Sequence, residues 1–314
     1  HENYWLKQFE KEIPVLDFPY NFQRPPIITY EGAVIDFTID ETLFLKVREF
    51  SAKNETTPFM VLLTAFYILF HKYSRQDDII IATADLGRNV PEVSSLIGMF
   101  INHLAIRAYP ESNKTVTEFL AEIKELTVNA YTHQEYPFDH LIQKLNLPRD
   151  MSREPLTGIT FSYMNFKQSE PDETGLRFRL YEGIVKDSSK FDMSIFATEF
   201  PDRVVFAIEY YSAVFSQSAM QLFGSRFLKT VGELVDRGTV AIADIDILIE
   251  GEQEKIVKDF NRSNTEYPGD KCIHELFEEQ AEKTPDAVAL IFEQQQITYR
   301  DLNNRANQLA HYLQ

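Results

Sequence analysis

The chain has little of what several common protein classes require. It holds one cysteine, Cys272, so no internal disulfide can form, and no Cys/His cluster has zinc spacing. Its seven histidines are scattered; His133 and His140 stand seven apart and miss the i, i+4 spacing of a helical metal pair, so no metal site is expected. Positive charge is scarce: 31 Lys and Arg against 48 Asp and Glu leave a formal net charge of -17. That balance argues against nucleic acid or an anionic membrane surface as a partner. The longest apolar run, Phe59–Phe70, is about twelve residues, well short of a bilayer span. No charged-then-apolar leader opens the sequence, so the expected compartment is the cytoplasm. Neither a Gly-rich phosphate loop nor a Gly-x-Ser-x-Gly elbow is present.

What is present suffices for packed domains. With 314 residues, 44% hydrophobic and 13% aromatic, the chain is long enough for roughly two domains and too apolar for wholesale disorder. His1–Glu12 reads as a helix with Tyr4, Trp5 and Phe9 on its apolar side, and Pro14–Pro26 as an extended crossing segment. Ala33–Ile39 alternates as a strand. Asp40 is placed to cap a helix through about Lys53, and Thr57-Pro58 to start a second, buried helix to Tyr73. Asp78–Ala84 reads as a buried strand, followed by the loop Asp85-Leu86-Gly87-Arg88-Asn89. Ile97–Arg107 is a loop-to-strand unit. Helices are expected over Thr117–Tyr131 and Phe138–Leu145, then strands at Gly158–Phe166, Leu176–Glu182, Phe191–Thr198 and Val204–Tyr211. Glu199–Arg203 makes a hairpin connection, and Ser216 caps a long helix to about Asp236.

Helices and strands therefore mix without strict βαβ alternation, which predicts an α/β protein of the two-layer sandwich type. The texture changes past Ile249. Residues 251–268 read as an interdomain linker between a domain at 1–250 and a second one beginning at 269. The last stretch, Gln296–Leu313, reads as a strand running into an amphipathic helix, with Leu302, Ala306, Leu309, Ala310 and Leu313 on one face. With only one strand before that face, the expectation is a chain cut inside a domain at 269–314; the helix at the N-terminus raises the same suspicion.

Residue types alone leave the chemistry open. His133, at a helix end before Pro137, reads as a capping residue more readily than as a general base. Arg88 follows a buried strand, where it is either a solvated loop arginine or one that reaches across a cleft to a carboxylate. Asn102 is either a turn asparagine or a donor to a substrate amide. Arg149–Leu156 can be a locally self-paired loop.

In order along the chain, these segments resemble the second half of a condensation domain of the nonribosomal peptide synthetases. Ile97–Arg107 is similar to the family's fifth core motif, I-G-x-F-V-N-T-L; His133–Phe138 to the sixth, H-Q-D-Y-P-F-E; and Arg149–Leu156 to the seventh, R-D-x-S-R-N-P-L. Tyr4-Trp5, Phe18-Pro19 through Arg24-Pro25, and Gln76–Ile80 also fall at familiar places. Ile297–Ala310 resembles the first core motif of an adenylation, or AMP-binding, domain. Condensation followed by adenylation is the order of an elongation module in peptide antibiotic biosynthesis.

The departures are specific. The catalytic signature H-H-x-x-x-D-G occurs nowhere in this sequence; the resemblance assigns it to an N-terminal lobe absent here, so no residue inherits the catalytic role. Ala82–Arg88 stands where relatives read G-T-P-V-A-G-R, His103 replaces a threonine, and Asn21 an aspartate. The resemblance implies that 1–250 form the C-terminal lobe of a chloramphenicol acetyltransferase-like fold, with the active site in a tunnel between lobes, followed by an incomplete N-terminal piece of an adenylate-forming domain. It implies peptide-bond formation between a donor acyl or peptidyl thioester and an acceptor aminoacyl thioester, each on a phosphopantetheine arm of an upstream or downstream carrier domain. ATP and magnesium would serve only a complete adenylation domain. It also implies that Arg88 crosses the cleft to the signature aspartate and that Asn102 lies near the pantetheine path. Gly98, His133, Gln134, Arg149, Ser152 and Arg153 are expected to hold the lobe together. The isolated chain is expected to be inactive. Three rivals stay open: an epimerisation domain of the same fold, a coenzyme A-dependent acyltransferase, and a non-catalytic carrier-binding lobe.

Overall fold

The computed structural model describes residues 1–88, 90–94, 96–165, 187–262 and 269–314. The expected strand Leu176–Glu182, Phe166 at the end of another strand, Asn89 in the Arg88 loop and 263–268 of the expected linker lie outside the described residues. By its internal contacts the chain divides into two units, His1–Gln253 and Glu254–Gln314.

The first unit starts with α1 (Glu2–Gln8), crosses to β1 (Gly32–Ile39), and continues through α2 (Glu41–Lys53), α3 (Pro58–Ser74), β2 (Ile79–Asp85) and the one-turn α4 (Pro91–Ser94). Then come β3 (Asn102–Ala108), α5 (Val116–Thr132), α6 (Phe138–Leu145), β4 (Ile159–Met164), β5 (Met193–Glu199), β6 (Val204–Tyr211) and α7 (Gln217–Asp236). The helix starts follow local chemistry. Asp40 accepts from the Leu43 N–H, Thr57 from Met60 with Pro58 in the first turn, and Ser216 from Ala219. Thr115 and Glu118 form a reciprocal capping box on α5. Helix α1 stops at Gln8, short of the expected Glu12, for a tertiary reason. The Arg107 guanidinium takes the carbonyls of Gln8, Lys11 and Glu12, and carbonyls turned to a distant cation cannot continue a helix.

The six strands form one mixed sheet in the order β1-β6-β5-β4-β2-β3. Strands β2, β4 and β5 run parallel, and the other pairs are antiparallel. One face carries the large apolar residues. Phe161, Ile195, Ile208 and Ile35 lie in register across four strands and are buried. Phe161 stacks on Phe59, and Phe206 packs against Phe227 of α7. Helix α3 is apolar nearly all round because it sits inside this layer, with Val61 through Phe70 buried on every side. The α/β sandwich expected from the sequence is what folds. No described helix is long and apolar enough to cross a membrane.

Between the sheet-bearing unit and the next elements the chain passes through α8 (Glu252–Glu254) and a π-helical turn at Lys255–Asp259. The second unit holds α9 (Ile273–Lys283), the antiparallel hairpin β7 (Val288–Phe292) and β8 (Gln295–Thr298), and α10 (Tyr299–Leu313). Thr298 caps α10 by accepting from the Asp301 N–H. Phe277 meets Tyr299 at 5.9 Å, tying α9 to α10.

Candidate functional site on the open face of the sheet

The second face of the sheet has a different composition. Strand register aligns Ala105, Ala82, Thr160, Ser194, Glu209 and Val34 in one row across all six strands. Ser162, Phe196, Ala207 and Asp36 form part of the next. Because side chains alternate between faces, these rows lie on the face opposite Phe161, Ile195, Ile208 and Ile35. Alanine, serine, threonine and two carboxylates predominate, with Val34 and Phe196 among them, where the register-aligned residues of the opposite face are phenylalanine and isoleucine. Ala105, Ala82, Thr160 and Ser194 are buried, whereas Ser162, Phe196, Ala207, Glu209 and Val34 are only partly covered, so this face is open only in part, toward the β1 edge.

At the C-terminal end of β2 a loop rises from this face. The Asp85 carboxylate accepts from the Gly87 N–H at 2.9 Å. Gly87 has φ +63, and a Cβ there would lie 2.0 Å from the Phe100 carbonyl oxygen, so only glycine fits. Arg88 folds back over its own loop. Its guanidinium donates to the carbonyls of Val93 (2.6 Å), Leu96 (2.8 Å) and Gly98 (3.3 Å), and stacks 4.6 Å above the Phe100 ring. Gly98 thus contributes its carbonyl. The loop's apolar side chains point outward: Ile97 and Met99 are fully exposed.

The start of β3 is held by an amide clasp. Asn102 Nδ2 donates to the carbonyls of Gln134 (2.7 Å) and Tyr136 (2.9 Å), while Oδ1 accepts from the Phe138 N–H at 3.0 Å. Both hydrogens of the carboxamide are spent on the backbone of the turn before α6. His133 stacks on Tyr4 at 4.1 Å, its Nδ1 meets the Asn129 carbonyl at 2.9 Å, and its own carbonyl accepts from Trp5 Nε1. Burial raises the Tyr4 hydroxyl to a pKa of about 12, with Glu125 adding to the effect. These contacts join the end of α5 to α1 through His133, and β3 to the turn before α6 through the Gln134 carbonyl. His103, next along β3, sits against Phe138 (5.8 Å) and Phe191 (6.0 Å). Burial, and then the nearby Lys190 ammonium, push its pKa below the ordinary histidine value, against a smaller opposing effect of Asp139.

Arg149, Ser152 and Arg153 lie at the opposite ends of the parallel strands, roughly 20 Å away along β2. There Arg149, Asp150 and Arg153 line a cavity of about 1140 Å³ together with Phe9–Leu16, the start of β2, Leu145–Pro148 and Asp192. Asp150 accepts from the Ser152 N–H at 2.8 Å and faces Arg153 Nε at 3.1 Å. Those contacts hold the Asp150 carboxyl below its ordinary pKa, the Ser152 bonds contributing most. The Ser152 carbonyl accepts from Arg24, whose other nitrogen pairs with Asp192 at 2.5 Å, and Tyr20 also donates to Asp192. The structure thus gathers Asn102, His133 and Gln134 in one place, Arg88 and Gly98 in the loop, and the third group elsewhere.

Sequence reasoning missed Arg24, Asp192, Arg107 and Asp78. Arg107 is only 2% exposed and pairs bidentately with Asp78 at 2.8 and 2.6 Å. An arginine within the apolar run Leu104–Ala108 of β3 was the available signal, since such a charge must find a partner. Asn21, noted as a departure, accepts from the Ser216 N–H at 3.0 Å at the entry to α7.

Comparisons with known proteins agree with this architecture. The model of the condensation domain family matches residues 1–257, and that of the AMP-binding enzymes matches 277–314. Tyrocidine synthase 3 of Brevibacillus parabrevis is 39% identical over 313 residues, covering 100% of this chain and 5% of its own length. Bacitracin synthase 1 of Bacillus licheniformis is 40% identical over 309 residues, covering 98% and 6%. This chain therefore spans only a small part of the curated relatives it matches. Among solved structures, a four-domain nonribosomal peptide synthetase bound to AMP and glycine aligns with a TM-score of 0.86 at 20% identity, over 99% of this chain and 25% of that one. The condensation domain of the monacolin K polyketide synthase aligns with a TM-score of 0.67 at 20% identity, over 77% and 58%. The chain belongs to the condensation domain family of the nonribosomal peptide synthetases and continues into the start of an AMP-binding domain.

Proposed function

We propose that this chain supplies one wall of an active site that forms a peptide bond between two carrier-bound thioesters, within a synthetase elongation module. The observation that carries the reading is the order of the two family matches, condensation over 1–257 and then AMP-binding over 277–314. In this reading 1–250 are the lobe, 251–268 the linker and 269–314 the opening of the adenylation domain, all in the cytoplasm. The partners are an N-terminal lobe bearing the H-H-x-x-x-D-G signature and carrier domains that bring phosphopantetheine arms from either side. ATP and magnesium serve the complete adenylation domain.

The chemistry asked of this lobe is modest. The acceptor amine is nucleophilic once neutral, so alignment of two tethered reactants can supply much of the acceleration. The partly covered Ser162 and Glu209 lie on the side of the sheet that would face the reactants. The signature's histidine, on the opposite lobe, takes or positions the amine proton. Arg88 exchanges its loop carbonyls for the signature aspartate when the lobes meet, a charge-assisted bond stronger than the neutral ones it leaves. Asn102 acts through the turn it clasps, which borders the pantetheine path.

The test uses the complete module with loaded carriers. Arg88→Ala is expected to lower peptide-bond formation by at least tenfold while the protein stays folded, and the 314 residues alone are expected to give no product. Unchanged turnover in folded Arg88→Ala, or product from the chain alone, contradicts the reading.

A further inference from the structure

Away from the sheet's open face, three side chains meet at the C-terminal end of α3. His71, in the last turn of α3, is 7% exposed. Its Nδ1 lies 2.9 Å from the Gln76 carbonyl oxygen and 3.2 Å from Asp77 Oδ1, and its Nε2 lies 2.9 Å from Ser112 Oγ. A carbonyl oxygen and a carboxylate only accept, so Nδ1 carries the proton. In the neutral ring that leaves the Nε2 lone pair facing the Ser112 hydroxyl. Hydroxyl, imidazole and carboxylate follow one another in the order used for nucleophilic acyl transfer.

The surroundings suit that role. Ser112 is exposed, in the turn between β3 and α5. The turn is pinned on both sides: Ala243 N–H donates to the Ser112 carbonyl at 2.9 Å and Ile242 N–H to the Lys114 carbonyl at 2.8 Å. Lys114 Nζ closes it further by donating to the Tyr109 carbonyl at 2.9 Å. A hydroxyl fixed on a rigid turn, with its base buried behind it, is pre-organised for attack.

We propose that Ser112 is a His71-activated nucleophile that takes an acyl group from an activated ester or thioester at the protein surface. Ser112 Oγ bonds to the acyl carbon while its proton passes to His71 Nε2. The carbon–sulfur or carbon–oxygen bond of the donor breaks, and the leaving group takes that proton. Water then repeats the sequence on the acyl-serine and releases the carboxylic acid, so the net reaction is hydrolysis. Asp77 and the Gln76 carbonyl are positioning groups that hold the imidazole. No residue of the open sheet face takes part, so this site stands or falls apart from the peptide-bond reading.

The experiment treats the chain with a fluorophosphonate probe and, separately, with p-nitrophenyl acetate, and maps adducts by peptide mass spectrometry. Ser112 is expected to react roughly 10²-fold faster than the exposed Ser225, the size of a general-base contribution. Ser112→Ala, which removes only the side-chain hydroxyl of an exposed residue, is expected to abolish the adduct; His71→Gln is expected to slow it to the rate of Ser225. Reaction of native Ser112 no faster than Ser225 overturns the proposal whether or not the His71 variant folds. An adduct unchanged in folded His71→Gln, checked by circular dichroism, overturns it as well.

Discussion

Asn102 Oδ1 accepts the Phe138 N–H at 3.0 Å, and the same carboxamide donates to two carbonyls of the turn between them. The first residue of β3 thereby fixes the first residue of α6, across 36 positions of chain. Asn102→Ala leaves one backbone donor and two acceptors without a partner. A loss of roughly 2 kcal/mol is expected in urea unfolding, near the middle of the range for unsatisfied polar groups. Asn102→Asp is expected to be no better, because a carboxylate cannot donate to the two carbonyls. Wild-type stability in either variant contradicts the clasp.

The second expectation concerns Arg24 and Asp192, whose side chains are 10% and 12% exposed. Removing one partner of a mostly buried pair leaves the other charge behind, so Arg24→Ala is expected to cost about 3 kcal/mol. Tyr20 still donates to Asp192, which keeps the figure at the low end. Arg24→Lys keeps the charge but cannot reach Asp192 and the Ser152 carbonyl with two separate nitrogens, and should fall between. Equal stability of the alanine and lysine variants would refute the forked contact.

His103 provides the pH dependence. Its folded pKa lies below the ordinary value of about 6.5 because burial and Lys190 disfavour the charged ring. The unfolded chain therefore binds more protons between the two values, and stability rises with pH across that window. The contribution is fully present above about 6.5 and is lost as the pH falls through that value toward the folded pKa. A nuclear magnetic resonance titration of His103 should give a midpoint below about 6.5, and His103→Phe should flatten the stability profile below that value. A midpoint at or above the ordinary value contradicts this.

Gly87 tests the loop that presents Arg88. A Cβ at that position meets the Phe100 carbonyl at 2.0 Å and the backbone has φ +63. Gly87→Ala is expected to destabilise by roughly 1–3 kcal/mol, the range for a strained left-handed residue. The damage should stay local: amide exchange should quicken through the loop while Ile81 and Leu104 in the sheet stay protected. Protection unchanged in the loop sinks the argument.

What the sequence disclosed and what it hid divide by distance. Asp40, Thr57 and Ser216 announce their helices because a cap acts on amides three positions away. The open face was not readable from β2, because Ile79–Ala84 is apolar without alternation and a buried strand conceals which side faces the helices. The end of α1 was misplaced because Arg107 sets it from about a hundred residues downstream, with 99 separating it from Gln8. Arg24 and Asp192 stand 168 apart, and nothing local pairs them. Motif resemblance located Arg88, Asn102 and Arg153, yet their partners came only from the fold: loop carbonyls for Arg88, a turn for Asn102, Asp150 for Arg153.

The most direct measurement follows mass on the carriers of the complete module. Donor and acceptor carriers are loaded with distinct acyl groups, and each is weighed intact after reaction. The account predicts that the donor acyl mass leaves its own carrier and appears, as an amide, on the aminoacyl arm of the acceptor. Retention of the donor acyl mass on its own carrier, or its transfer to free coenzyme A, would contradict the account.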